Sequence, residues 1–274
     1  MQSCLKWIVS ICAVICCLPL SAQSRSYHME LADGTSGRVA VANDSAKPIE
    51  AFHITGRCGQ AGIATGYDVL QSPRGGGSLF LDPERQRISR DGVIAPQTRV
   101  FLTTQFDPQP SGCAWKGEID GVIYTDGSFE GDERAVRRMM AQRDGIVAAV
   151  NYWSSRLLHV GAEREDPGAL AESAKSMITT DRMKGGNDPQ TLQFEYWQGR
   201  SMVDRDISMW LKTTNDAPQI MFERTVSDVK SWQMKIEGNI ALKKLDATFP
   251  LPLAIKEQGS GLSSSGAPTS RFNE

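Results

Sequence analysis

The sequence predicts an α+β fold, an antiparallel β half followed by an α-helical half. As far as about Phe129, short apolar runs alternate with polar residues and are broken by Gly, Pro, Asn and Asp. That is the period of strands with one buried face. From Asp132 the apolar positions Val136, Met139/Met140, Val147, Val150 and Trp153 recur in steps of three, four and seven, which suits a helix. Asp126-Gly127 and Gly131-Asp132 are the breakers between the two regimes,.

At 274 residues and 40% hydrophobic composition the chain can bury a core, and one or two domains are expected,. Residues 1–22 read as a signal peptide. Lys6 supplies a positive start, Trp7 to Leu18 an apolar stretch, Pro19 a break, and Ala22 a small residue for cleavage before Gln23,. The apolar stretch is shorter than the ~20 residues of a membrane span. Export to the periplasm or beyond is therefore expected, with no transmembrane span once the signal is removed. Lys+Arg number 30 and Asp+Glu 32, so losing Lys6 leaves a mature charge of about −3,. Without a basic excess the chain is not a nucleic-acid binder. Of six cysteines only Cys58 and Cys113 remain after the signal. Two lone cysteines in an oxidising compartment point to a disulfide, and no Cys-x-x-Cys or Cys/His cluster supports redox chemistry or a metal.

Taken in order, Ser26–Ala32 reads as a first strand, Gly37–Asn43 as a second, and Pro48–Thr55 as its return beyond the turn Asn43-Asp44-Ser45,. Gly56–Gly66 and Gly75-Gly76-Gly77 are expected to be loops, since neither carries a full G-x-G-x-x-G or a Walker lysine,. Arg99–Thr104 is a further strand, and Ile119–Tyr124 closes the β half,.

On these residues, Gly37–Thr55 with its Asn-x-Ser and Lys47-Pro48-Ile49 resembles the opening hairpin of bacterial immunoglobulin-like sandwiches of exported proteins. Ile94-Ala-Pro96-Gln97 leading into Arg99–Phe101 is similar to their later strand, except that Gln97 stands where glycine is usual. The resemblance covers about 27–129 and implies a two-sheet sandwich over residues 23–131, of a kind that mostly binds or spaces.

Four helices are expected over 132–246. The first runs from about Glu133 to Val160, with Arg143 interrupting its apolar stripe and a kink at Asp144-Gly145,. The next open on Asp166-Pro167, Asp188-Pro189 and Asp216-Ala217-Pro218, each pairing an N-capping carboxylate with an early proline,. The third carries Leu192, Tyr196, Gly199, Val203, Ile207 and Trp210/Leu211 on one face, Gly199 permitting close approach,. The fourth carries Phe222, Val226, Val229, Gln233, Ile236 and Ile240,. Residues 247–274, with GSGLSSSGAP among them, read as a disordered tail,.

No catalytic motif is visible. His28, His53 and His159 are scattered and read as structural histidines, and no Gly-x-Ser-x-Gly or His-Glu-x-x-His occurs,. Asp126–Asp132 resembles the start of a calcium loop, but its twelfth position is Arg137 instead of glutamate, so no metal and no cofactor is assigned,. Glu163, Glu165 and Asp166 read as solvated loop acids. The helical half holds four of six Trp and eight of ten Met. Trp197 and Trp232 flank their apolar stripes, which makes them a candidate interaction surface. The function this supports is a non-catalytic envelope module that binds a protein partner or itself through the helices. The alternative is an exported hydrolase whose site no local motif reveals, which a pocket joining His53 or His159 to a carboxylate would favour.

Overall fold

The computed structural model describes residues 26–31, 39–58, 61–73, 92–102, 116–163, 166–186, 188, 191–212 and 218–260. The expected signal segment 1–22, Cys113 and residues 261–274 lie outside the described residues. The fold is α+β, with the strands first and the helices after them.

Three antiparallel strands, β1 (Tyr27–Leu31), β2 (Val39–Asn43) and β5 (Thr98–Leu102), form one sheet in the order β1-β2-β5. The second sheet has the order β4-β3-β6-β7, built from β3 (Ile49–Cys58), β4 (Ala61–Asp68), β6 (Lys116–Tyr124) and β7 (Phe129–Gly131). Tyr27, Val41 and Val100 from the first sheet share a buried cluster with Ile49, Phe52, Ile54, Ile119, Val122 and Tyr124 from the second. They share one buried face of their strands, the spacing of two widening to three in β3 and β6 where the ladder between those strands shifts register,. The glycine-rich stretch 56–66, expected to be a loop, forms the end of β3 and most of β4, with Cys58 paired to Ala61 across a tight hairpin.

The other face of the second sheet is covered by α1 (Glu133–Glu163). Asp132 caps this helix, its carboxylate accepting from Arg134 N–H at 2.9 Å,. The helix is continuous through Gly145. Gly145 serves contact: a Cβ there would lie 1.9 Å from the Tyr196 carbonyl oxygen, and one at Gly199 would lie 2.1 Å from that of Gln142. The two glycines thus let the backbones of α1 and α3 (Leu192–Lys212) touch,.

On its other side α3 meets α2 (Pro167–Gly185). The cap Asp166 before Pro167 is as expected, its carboxylate accepting from Gly168 N–H. For α3 the cap is Thr191, whose hydroxyl accepts from Phe194 N–H at 3.1 Å, so this helix starts later than Asp188-Pro189 implies. With α1 and α2 on either side, α3 has two buried faces, and Trp197 is only 1% exposed.

Helix α4 (Pro218–Gly238) buries Met221, Val229, Trp232 and Ile236 together with Thr225. That face is turned by about one position from the expected seam, so Trp232 is fully buried. The reading of Trp197 and Trp232 as an interaction surface is therefore corrected, because both side chains are core. Ile240, the last seam residue expected, belongs to α5 (Ile240–Thr248) and is exposed. Asn239 separates the two helices by capping α5 through Leu242 N–H. Within the stretch assigned to a tail, Phe249 and Leu251 are buried and α6 spans Leu253–Ser260. Low-complexity composition beyond 258 masked two apolar anchors just before it. Among the described residues no helix is long and apolar enough to cross a membrane.

Candidate functional site

Two register shifts in the β3–β6 ladder decide which side chains face the helices. Ile49 pairs with Tyr124 and Ala51 with Ile123, leaving Glu50 as an extra residue on β3; His53 pairs with Gly121 and Ile54 with Ile119, leaving Asp120 extra on β6. Each bulge re-aims one carboxylate that strict alternation would send elsewhere. Both acids meet arginines of α1.

At the first bulge, Arg143 is wholly buried, with Nη1 2.6 Å from Glu50 Oε1 and Nε 2.6 Å from Asp68 Oδ2. Asn239 adds a donor to Glu50. Burial raises the Glu50 pKa, against the pull of Arg143. The chain after β4 is held here too, by Trp232 Nε1–H donating to the Leu70 carbonyl and Lys235 Nζ to that of Val69, both at 2.7 Å. Arg143, expected only as an interruption, is the anchor of α1 on the sheet.

The second bulge builds the candidate site. His53 Nδ1 lies 2.6 Å from Asp120 Oδ1, and Arg138 Nη2 lies 3.5 Å from Asp120 Oδ2. An ionised carboxylate can only accept, so Nδ1 carries a proton and Nε2 is the nitrogen left to exchange one. The ring has room because its partners on both neighbouring strands are glycines, Gly66 and Gly121. A Cβ at Gly66 would lie 2.8 Å from the Phe52 carbonyl oxygen, and one at Gly121 would lie 3.1 Å from Ala135 Cβ.

A cleft of about 210 Å³ opens over His53, with Tyr67, Met139, Gln142, Phe194 and Glu195 among its walls. Glu195, on the first turn of α3, is nearly buried. Burial pushes its pKa up to about 7, opposed by the charges of His53 and Arg138. The cleft thus combines an oriented imidazole with a carboxylic acid that keeps its proton to neutral pH, the two halves of general acid–base chemistry. Among the described residues its lining holds no Ser, Thr, Cys or Lys, Asp68 is paired with buried Arg143, and the Tyr67 hydroxyl donates to the Gly92 carbonyl, so a water molecule is the nucleophile such a pair would activate.

A second acid pair lies in the helical half. Trp153 Nε1–H donates to Asp204 Oδ1 at 2.6 Å, and Arg200 Nε lies 3.2 Å from Asp181 Oδ2. Asp181 Oδ1 and Asp204 Oδ2 are buried with no donor among the described residues, the two acids interact, and burial raises both carboxyls, Asp204 to about 8. One arginine facing two buried acids leaves one proton shared between them.

Of the residues singled out from sequence, His53 alone lies at the cleft. His28 Nδ1 contacts Asp44 Oδ2 at 2.5 Å on the surface, and His159 is exposed on α1. Asp126 accepts from Ser128 and pairs with Lys47 at 2.9 Å, a turn already saturated with protein donors. Among the described residues no group of His, Cys, Asp and Glu has the geometry to hold a metal. Cys58 ends β3, and its expected partner Cys113 is outside the described residues. Sequence reasoning missed Asp120, Arg138 and Glu195. The signal available was an acid interrupting a short apolar strand and an arginine near the apolar stripe of the helix that follows.

No protein-family model, curated protein or solved structure matches this chain.

Proposed function

We propose that the protein is an exported hydrolase that uses His53, oriented by Asp120, as general base and Glu195 as general acid. The observation that carries the reading is the His53–Asp120 contact of 2.6 Å on the wall of a cleft that also holds Glu195. His53 Nε2 takes a proton from water as it attacks, and the protonated Glu195 donates one to the leaving group. Arg138, beside Asp120, balances the charge of that carboxylate. The reading of a non-catalytic module that binds a partner through its helices has lost its motive, because Trp197 and Trp232 are buried.

For the β half we propose an immunoglobulin-like sandwich. Strands one, two and five in one sheet and four, three, six and seven in the other match the A-B-E and C′-C-F-G arrangement of such domains,. Gln97, which stands where glycine is usual, adopts φ 54°, the left-handed conformation that glycine would supply. Export rests on the signal-like residues 1–22, and the Cys58–Cys113 disulfide rests on it in turn,.

The test is turnover by purified residues 23–274 of 4-nitrophenyl esters, phosphates and glycosides and of peptide anilides. The expected result is hydrolysis of one class, reduced roughly a hundredfold or more in His53→Ala and in Glu195→Gln, with unchanged circular dichroism. Hydrolysis of none, or equal hydrolysis by His53→Ala, would overturn the assignment.

A further inference from the structure

We propose that the groove between α2 and α3 is an anion subsite, which takes a carboxylate or phosphate group of the molecule acted on in the His53 cleft. The groove has a volume of about 330 Å³. Phe194 and Gln198 line both it and the His53 cleft, so the first turns of α3 form a shared wall between the two hollows. A ligand longer than one hollow can therefore lie over Phe194 and occupy both.

The chemistry of the groove is that of a donor-rich site. Arg182 and Arg205 line it, are exposed, and form no ion pair or hydrogen bond with the described residues. The Nε1–H of Trp197, also in the wall, is buried and has no acceptor among the described residues. A donor left unmatched in this way is a cost that an acceptor brought into the groove beside it would offset. Lys184 Nζ lies 4.8 Å from the centroid of the Trp197 ring, and the Arg200 guanidinium 5.2 Å from it.

One acid lines the groove. Asp181 carries little net charge into it, because Arg200 pairs with it and burial favours its protonated form. The groove is left with two guanidinium groups unpaired among the described residues and the amide of Gln198, beside the buried and unmatched Trp197 indole N–H. Guanidinium forks favour planar carboxylate and tetrahedral phosphate oxygens. The flat side chain of Phe194, only partly buried, suits a ring-bearing anion.

That this anion belongs to the hydrolase substrate rests on the function proposed above, whereas anion binding itself does not. The test is a titration of ¹⁵N-labelled 23–274 with inorganic phosphate and, separately, benzoate, following the Trp197 indole N–H resonance, assigned with Trp197→Phe. One of the two is expected to move that resonance saturably, which also distinguishes phosphate from carboxylate. Arg182→Ala/Arg205→Ala, both surface changes, is expected to weaken binding roughly tenfold or more, with the effect shrinking at high salt. His53→Ala is expected to bind as the parent does. No saturable shift with either anion, equal affinity in the double variant, or loss of binding in His53→Ala would overturn the subsite. Because the readout needs no turnover, its failure is separable from failure of the hydrolase reading.

Discussion

Replacing Asp204 with Asn tests the shared proton in the helical core. In the folded chain the Asp204 carboxyl is raised to about 8, chiefly by burial and also by Asp181 beside it, while in the unfolded chain it titrates near the ordinary aspartate value of ~3.9. Between those limits the folded state holds a proton that the unfolded chain has released, so folding stability falls as pH rises. One proton of difference is worth about 1.4 kcal/mol per pH unit. Asparagine keeps the neutral form: its Oδ1 can accept from Trp153 Nε1–H, 2.6 Å away in the parent, and its amide can donate to Asp181. The gain of the variant over the parent should grow by about 1.4 kcal/mol per unit from pH 4 upward and level off above about 8. Urea unfolding of both proteins at one-unit pH intervals measures this, and groups common to both cancel in the difference. Parallel stability curves would refute the shared proton.

Three further outcomes follow from the packing and the cleft. Arg143→Met should cost about 3–5 kcal/mol by leaving Glu50 and Asp68 buried without a cation, and Arg143→Met/Glu50→Gln/Asp68→Asn should recover most of it in urea unfolding,. Gly199→Ala should destabilise by at least 1–3 kcal/mol in thermal or urea unfolding, because a Cβ would press on the Gln142 carbonyl at 2.1 Å,; helix propensity alone predicts a gain of about 1 kcal/mol. For a substrate found in the turnover screen, the rate should fall as pH rises through about 7, where Glu195 loses the proton it must donate, and no such fall should remain in the residual rate of Glu195→Gln.

The order of strands and helices was legible because their apolar periods are regular, as at Val39/Val41 and from Val136 to Trp153. The glycine-rich β4 was not, since Gly62 and Gly66 remove the alternation by which a strand is read. The α4 face was turned because Phe222 and Val226 are only partly buried, whereas polar Thr225 is fully buried. Trp232 was thereby placed at the surface. The site was hidden for a different reason. Asp120 reaches His53 only through a bulge, and Glu195 comes from a helix more than a hundred residues further along the chain. Local spacing carries neither fact. His53 itself looked structural because its neighbours Phe52 and Ile54 are apolar, and those neighbours face the other sheet.

The most direct measurement of the central claim is a ¹³C carboxyl titration of Glu195 in the parent and in Arg138→Gln. A Glu195 buried as the acid of the cleft titrates near pH 7, and its midpoint moves higher in Arg138→Gln, because a fixed positive charge that favours its ionised form is gone,. A midpoint near 4.5, or one unmoved by Arg138→Gln, would contradict the acid placed beside His53, Asp120 and Arg138.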